Sequence, residues 1–482
     1  MAELSSQERE LLALVGRAAF ANPFSGERQD LDTRIASAKV RRAEKPIVGA
    51  IHELRRQYEL MDQQKRAHRN AYSLAKDKKL FENFALFLVF HEHIEDLDQL
   101  IKRQMAQPDR PHTVGFAARM LDRLKSLGFN PDESARFLGV FYQLRRAYFF
   151  INHALVGASK CMIALRCQLW NSVFTHDMDL YNTWFWNKME DFSTLIVGET
   201  GTGKGTAAAA IGRSAFIPYD ASIDRFKESF ASAFTAVNLT QYPESLLEAE
   251  LFGYRKGAFT GAVESHTGLL ARCSAYGAVL LDEIGDVSRD VQVKLLKVLE
   301  ERSFTPVGSH EIQQFRGRII AATHQDLQQL RAEGRFREDF YYRLSSDVIQ
   351  IPPLRQRISE DKNELELLLS HIVTRLAGEP SPHLVDLCMS TLKRDVGMTY
   401  EWPGNVREVA QAVRRIVLTC EYMPSRVHPE SPSVVPDMNA TAVLGSYAAA
   451  LYERYGSYQK VAHVMELDRR TVKRYIDIYK KK

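Results

Sequence analysis

Cysteine is scarce and unpatterned in this chain: five residues, at 161, 167, 273, 388 and 420, with no CxxC pair. An odd count argues against a complete disulfide framework, so the expectation is buried free thiols in a reducing cytosol. Long hydrophobic runs are missing as well. The N-terminus, MAELSSQERELLALV, is charged early and lacks the apolar core of a signal peptide. The most apolar N-terminal stretch, Val140 to Leu169, is cut by Arg145, Arg146, Lys160 and Arg166, which is too interrupted to span a bilayer. The reading is a cytoplasmic protein with no membrane contact. Net charge is also small, 64 Lys and Arg against 60 Asp and Glu, so nucleic-acid contact must come from a local patch. Glycine and proline are absent from Ala50 to Gln107, where apolar residues such as Phe84, Phe87, Ile94 and Leu97 recur at helical spacing. Pro108 and Pro111 close that block, and a second helical block runs from Gly115 to Trp170.

What is present changes character near Phe192. STLIVG, GAVLLD at 277–282 and RIIAAT at 318–323 are short β-prone runs separated by helical segments, a pattern that predicts a parallel α/β sheet. After Pro352 and Pro353 the pattern is helical to about Tyr422, and PSRVHPESPSVVP at 424–436 reads as a linker. The expected architecture is multidomain: a helix-rich N-terminal domain over 1–185, an α/β subdomain over 186–355, and a helical subdomain over 356–423. A linker over 424–440 and a helix-turn-helix over 441–482 follow.

GETGTGKG at 198–205 follows an apolar strand and precedes a helix former, the context a phosphate-binding loop needs. Gly198, Gly201 and Gly203 let backbone N–H groups, with those of Glu199, Thr200 and Thr202, turn toward one anion. The positive end of the next helix adds to this, and Lys204 supplies a cation for the β- and γ-phosphates of ATP. The usual Ser or Thr after the lysine is replaced by Gly205, with Thr206 one step later, so Mg²⁺ must be held mainly by other groups. AVLLDEIGDV at 278–287 is an apolar strand ending in two carboxylates. Asp282 is the expected Mg²⁺ ligand, through water, and Glu283 the group that polarises the attacking water.

The segment ELFGYRKGAFTGA at 250–262 resembles the signature of bacterial enhancer-binding proteins, the AAA+ activators of sigma-54 RNA polymerase. FTAVN, LLDEIGDV, VKLLKVLEE, RIIAAT, FREDFYYRL, IPPLRQR and WPGNVREV extend the resemblance over about residues 190–420. It implies an AAA+ P-loop ATPase that works as a homo-oligomeric ring, a hexamer in that family. Gly257, Ala258, Phe259, Thr260, Gly261 and Ala262 then correspond to the loop that contacts sigma-54. Asn238 corresponds to the asparagine that restrains the catalytic glutamate, and Arg337 and Arg343 to arginine fingers reaching a neighbouring subunit's nucleotide. Arg407 corresponds to the lid's sensor arginine and Thr323 to a sensor-strand residue. Where the family reads AATN this chain reads AATH, placing His324 in the asparagine's position. An AAA+ remodeller without a sigma-54 role is the alternative, and the intact GAFTGA cassette argues against it.

The tail divides into a helix to Tyr455, a break at Gly456, a short helix at Tyr458–Met465, a turn at Glu466–Leu467 and a last helix from about Asp468. Val461, Ala462, Val464, Leu467, Val472 and Ile476 are its expected core. Arg469, Arg470, Thr471, Lys473 and Arg474 begin the second helix of the pair, where contacts to duplex DNA upstream of promoters are expected, and the stretch resembles Fis-type DNA-binding ends. In the head, HEHIE at 91–95 reads as ordinary helix surface, because His91 and His93 lie two apart and face different ways.

Overall fold

The computed structural model describes residues 2–36, 45–424, 440–465 and 467–480. The predicted linker falls almost wholly outside them, as does Glu466 of the predicted turn. The chain divides into two compact units, Met1–Tyr422 and Met423–Lys482. No helix of the described residues is long and apolar enough to cross a membrane.

The first unit is built on a five-stranded, all-parallel sheet: β1 Thr194–Val197, β2 Phe234–Asn238, β3 Ala278–Asp282, β4 Arg318–Thr323 and β5 Asp347–Gln350, in the spatial order β2-β3-β4-β1-β5. Both faces are covered, which explains why the central strands read as unbroken apolar runs. Leu195, Val279, Leu281, Ile319 and Ala321 pack on one face with the helices Arg289–Glu301 and Glu338–Leu344. Ile196, Leu280, Ile320 and Ile349 point the other way, into a core shared with the head.

Among the described residues, the head places eight helices of ten residues or more before the sheet. The predicted glycine-free block becomes Pro46–Gln63, Ala75–Glu92 and Ile94–Ala106. The longest helix, Pro131–Ala154, starts where it does because Asn130 and Glu133 form a reciprocal capping box with Pro131 at the first helical position. Head and sheet are one hydrophobic body: Phe84, Leu138, Ile151 and Leu169 belong to the same buried cluster as Ile196 and Ile320. Arg318 of β4 locks the seam. Its guanidinium, pushed down to about 10 by burial, donates to the carbonyls of Phe192 and Ser172 and to the hydroxyls of Ser172 and Thr194.

The lid carries its own core: Leu354, Leu369, Val373, Cys388, Val409 and Val413 come from four helices between Leu354 and Thr419, and Trp402 from the turn before the last of them. In the second unit the helices are Ala440–Tyr455, Tyr458–Met465 and Arg469–Lys480 around Ala448, Leu451, Val461, Ala462, Val472 and Ile476. Val464 is a correction: it is 46% exposed, because Val461 and Ala462 already fill the buried face of its two-turn helix. HEHIE is another. His93 is buried against Asp96 at 2.9 Å, and His91 turns inward, so neither is free helix surface. Among the described residues no cluster of three His, Cys, Asp or Glu suits a metal ion.

Candidate functional site

The loop after β1 turns back on glycines whose backbone demands them: Gly201 has φ 80° and Gly203 φ 106°, and Gly203 caps the helix Lys204–Gly212. Its first turn leaves N–H groups without helical partners and presents a positive dipole end. The Lys204 ammonium donates to the carbonyls of Gly198 at 2.9 Å and Glu199 at 3.2 Å. Burial pulls it below the ordinary lysine value, and the charges of Glu283 and Asp282 oppose that. Gly205 and Thr206 are exposed on the opening turn, while Thr202 is buried with its hydroxyl donating to the Glu199 carbonyl.

The lid grips this loop. The Asn405 amide, fully buried, donates to the Glu199 carboxylate and the Thr200 carbonyl, both at 3.1 Å, and accepts from Leu354 N–H at 2.7 Å. Arg355 makes a two-pronged contact with Glu199 that holds its carboxyl below the usual range. Arg407 N–H donates to the Gly201 carbonyl, and a Cβ on Gly201 would stand 2.3 Å from the Gly404 oxygen. Gly201 therefore serves close lid approach as well as turning. None of Arg355, Gly404 or Asn405 was evident as a site residue, though all lie in the recognised IPPLRQR and WPGNVREV runs. A cleft of about 640 Å³ opens between Thr202, Gly203 and Thr206, the lid residues Ile372 and Val406, and the end of the head helix at Phe149.

Sheet register assembles the carboxylate edge. Asn238 stands opposite Asp282 across β2 and β3, Asp282 opposite Ala322 across β3 and β4, and Thr323 opposite Val197 across β4 and β1. Asp282 is half-buried and raised, first by desolvation and then by the charge of Glu283. Glu283 sits in the left-handed region at φ 59°, which swings its side chain away from the strand line. Its carboxylate meets His324 Nδ1 at 2.7 Å. Asn238 is occupied elsewhere: its oxygen accepts from Thr240 N–H at 3.0 Å and the Thr240 hydroxyl at 2.7 Å. Thr323 is buried, its hydroxyl accepting from Gln325 N–H. Arg407 is exposed, and its charge bears on both Lys204 and Asp282.

Arg337 and Arg343 do not turn into this cluster. Arg337 pairs with Asp339 at 2.7 Å, and Arg343, 56% exposed, lies beside Glu300 at 3.4 Å.

GAFTGA is a tight turn. Gly257 and Gly261 have φ 84° and 101°, Gly257 N–H donates to the Ala262 carbonyl, and Ala262 N–H to that of Phe259. Ala262 is buried, Ala258 half-buried, and Phe259 and Thr260 are exposed at the tip. Phe259 is 41% exposed and leans on Tyr254, ring centroids 4.9 Å apart. A second element supports the turn. Val307, between the paired strands Ser303–Phe304 and Gln313–Gln314, bridges to Tyr254, and a Cβ on Gly308 would meet Ala258 at 2.7 Å. Sequence reasoning missed this support because 305–312 carries no motif of its own.

In the tail, Arg469, Arg470, Lys473 and Arg474 are exposed and Thr471 half-buried, while Val472 and Ile476 point inward. The Asp468 carboxylate accepts from Arg470 N–H at 2.7 Å and fixes the helix start beneath this basic face.

Comparison with known proteins matches one part of the chain to a family model. Residues 180–351 match the sigma-54 interaction domain. Regulatory protein AtoC of Escherichia coli (strain K12) is 36% identical over 252 residues, 52% of this chain and 50% of AtoC. Transcriptional regulatory protein GlrR of the same strain is 42% identical over 227 residues, 47% of each chain. DNA-binding transcriptional regulator NtrC of Azospirillum brasilense is 40% identical over 228 residues, 47% of this chain and 43% of NtrC. The chain spans about half the length of these curated relatives.

Proposed function

We infer, from a chain whose residues 180–351 match the sigma-54 interaction domain, that it is an AAA+ enhancer-binding protein that hydrolyses ATP to remodel sigma-54 RNA polymerase into the open complex from a DNA-bound position. The observation that carries this reading is an exposed Phe259–Thr260 turn on the same α/β unit as Lys204, Asp282 and Glu283. An aromatic side chain held out at a glycine-hinged tip suits a protein partner, not catalysis.

The loop at 198–206 suits a triphosphate, with N–H donors, a helix start and one ammonium converging. The adjacent cleft, walled by Phe149, Ile372 and Val406, is the place for the base. Asp282 offers hard oxygen donors at the strand end, a fit for Mg²⁺, which when bound neutralises phosphate charge. Glu283 accepts the proton of the attacking water, with Asn238 and His324 as the polar groups near its strand end. Thr323 and Arg407 report the nucleotide to the sheet and the lid. Arg337 and Arg343 complete the site of a neighbouring subunit, so the working form is a ring. The basic face at 469–474 holds duplex DNA upstream of the promoter.

The test uses the purified full chain, sigma-54 polymerase and promoter DNA with an upstream site. Melting should require hydrolysable ATP and should be lost in Lys204→Ala, which removes the loop's cation. Melting with a non-hydrolysable analogue, or by polymerase carrying a different sigma factor, would contradict the reading.

A further inference from the structure

The head carries a second, half-open cavity of about 820 Å³, lined by other residues than the cleft at Phe149. That volume holds a molecule of drug size. Its wall is largely aromatic: Phe87, Phe90, Phe141, Tyr148 and Trp170 all line it. The charged residues at the wall are already paired. Arg28 pairs with Asp32 at 3.0 Å, and Arg145 with Asp98 at 2.6 Å. Exposed Asp30 and Lys45 at the mouth oppose one another in sign. Deeper in the wall, an anionic or cationic occupant therefore finds only countercharges that are already paired.

Two of the acceptor atoms on this wall have no hydrogen-bond partner among the described residues: the buried Asn182 Oδ1 and a ring nitrogen of His91. His91 Nδ1 lies 2.8 Å from the Phe87 carbonyl, which accepts only, so Nδ1 carries the hydrogen and Nε2 is a bare acceptor. Among the described residues Nε2 has no hydrogen-bond partner, and the ring lines the cavity. Burial, reinforced by the nearby charges of Arg28 and Arg145, pushes His91 down to about 3, so it stays neutral.

The helix Pro131–Ala154 is wall to both spaces. Val140, Phe141, Leu144 and Tyr148 face the head cavity, while Phe149 and His153 face the nucleotide cleft. Between them Gln143 donates to the Ser214 carbonyl at 2.9 Å, and the fully buried Arg146 donates to those of Arg213 at 2.8 Å and Ala215 at 2.6 Å. Those carbonyls lie at the C-terminal end of the phosphate-loop helix. Just past the head helix, the buried lid pair Arg357–Glu364 binds the turn 156–159: Arg357 donates to the Val156 carbonyl and Glu364 accepts from Ala158 and Ser159.

We propose that the head cavity binds an uncharged aromatic or alicyclic molecule bearing one hydroxyl or N–H donor for His91, and that the helix Pro131–Ala154 carries its occupancy to the nucleotide cleft. The binding half stands without the function inferred above. The transmission half rests on the cleft at Phe149 being the nucleotide site.

Calorimetry on the full chain, with 2-naphthol as probe and 2-naphthoate as its charged counterpart, tests the binding half. Saturable 2-naphthol binding, at least tenfold tighter than 2-naphthoate, is expected in the wild-type chain. His91→Phe should weaken it fivefold or more, and Leu144→Trp, which fills the cavity, should weaken it further. No saturable 2-naphthol binding, equal or tighter binding of the carboxylate, or binding untouched by both variants overturns the site. Saturating 2-naphthol should then shift the dissociation constant of a fluorescent ADP analogue about fivefold or more, with the reciprocal shift for 2-naphthol under ADP. Unchanged ADP affinity with 2-naphthol bound overturns transmission alone. No ADP binding at all, with 2-naphthol still bound, overturns the nucleotide reading and with it the transmission that rests on it.

Discussion

His324 Nδ1 stands 2.7 Å from a carboxylate oxygen of Glu283, whereas the Asn238 side chain is turned into its own strand end toward Thr240. The residue in the place of the asparagine expected from the resemblance is thus the direct partner of the glutamate proposed as catalytic. A hydrogen bond to a charged group contributes about 1.5–3 kcal/mol. Removing it in His324→Phe should lower kcat for ATP by roughly 10-fold or more by that measure, with KM little changed. His324→Asn, which can still donate, should stay near wild type. Steady-state kinetics on the three proteins checks this, and equal kcat in all three would remove His324 from the mechanism.

The outward placement of Arg337 and Arg343 predicts complementation. Each alanine variant should be inactive alone, and hydrolysis by the wild type should rise steeply with protein concentration. Mixing Glu283→Gln with Arg337→Ala should restore partial hydrolysis, because some interfaces then pair an intact finger with an intact glutamate. Mixed rings shown to form, yet without activity, would place Arg337 within its own subunit's site.

The basic face of the last helix predicts salt-dependent DNA binding. Replacing Arg470 or Lys473 by alanine should weaken duplex binding, and a lost phosphate contact should reduce the salt slope by about one. Deleting 441–482 should abolish binding and leave hydrolysis at high protein concentration. Fluorescence anisotropy over a salt series measures both.

Acid sensitivity of the head follows from Asp77. The buried carboxylate accepts from Arg9 at 2.8 and 2.9 Å and from Leu4 N–H at 3.0 Å, and the Arg9 guanidinium holds it below its ordinary 3.8. A depressed carboxyl contributes stability that is full above the unfolded value and is lost as pH falls through the folded one. Melting temperature should therefore fall below about pH 4. Asp77→Asn should cost about 1–3 kcal/mol near neutral pH and flatten that acid limb. Thermal scans from pH 3 to pH 7 decide it, and an unchanged acid limb would exclude Asp77 as its source.

What was legible in the sequence is what chemistry restricts to particular residue types in a fixed local order. Gly201, Gly203, Lys204, Asp282 and Glu283 stand out because the phosphate loop and carboxylate pair proposed for them tolerate few substitutes, and the structure brings them to one edge of the sheet. The pairing of His324 with Glu283 depends on the register between β3 and β4, which aligns Asp282 with Ala322 and so brings Glu283, one residue on, to His324, two residues on. No local pattern encodes that register. The head cavity was invisible for a similar reason. Helical periodicity places Phe87 and Phe141 on apolar faces, but that both line one cavity is set by tertiary packing. Val464 shows the limit of pattern reading in short helices, where two adjacent apolar residues suffice for the buried face.

The most direct measurement pairs phosphate release with sigma-54 promoter melting in single preparations of wild type, Phe259→Ala and Thr260→Ala. Neither side chain is an acid, a base or a phosphate ligand, and both stand at an exposed tip supported by Tyr254 and Val307. Both variants should assemble, keep most of their phosphate release, and lose melting. Melting that persists in both, or phosphate release that falls as far as melting does, would contradict the account of this loop as the part that transmits hydrolysis to sigma-54.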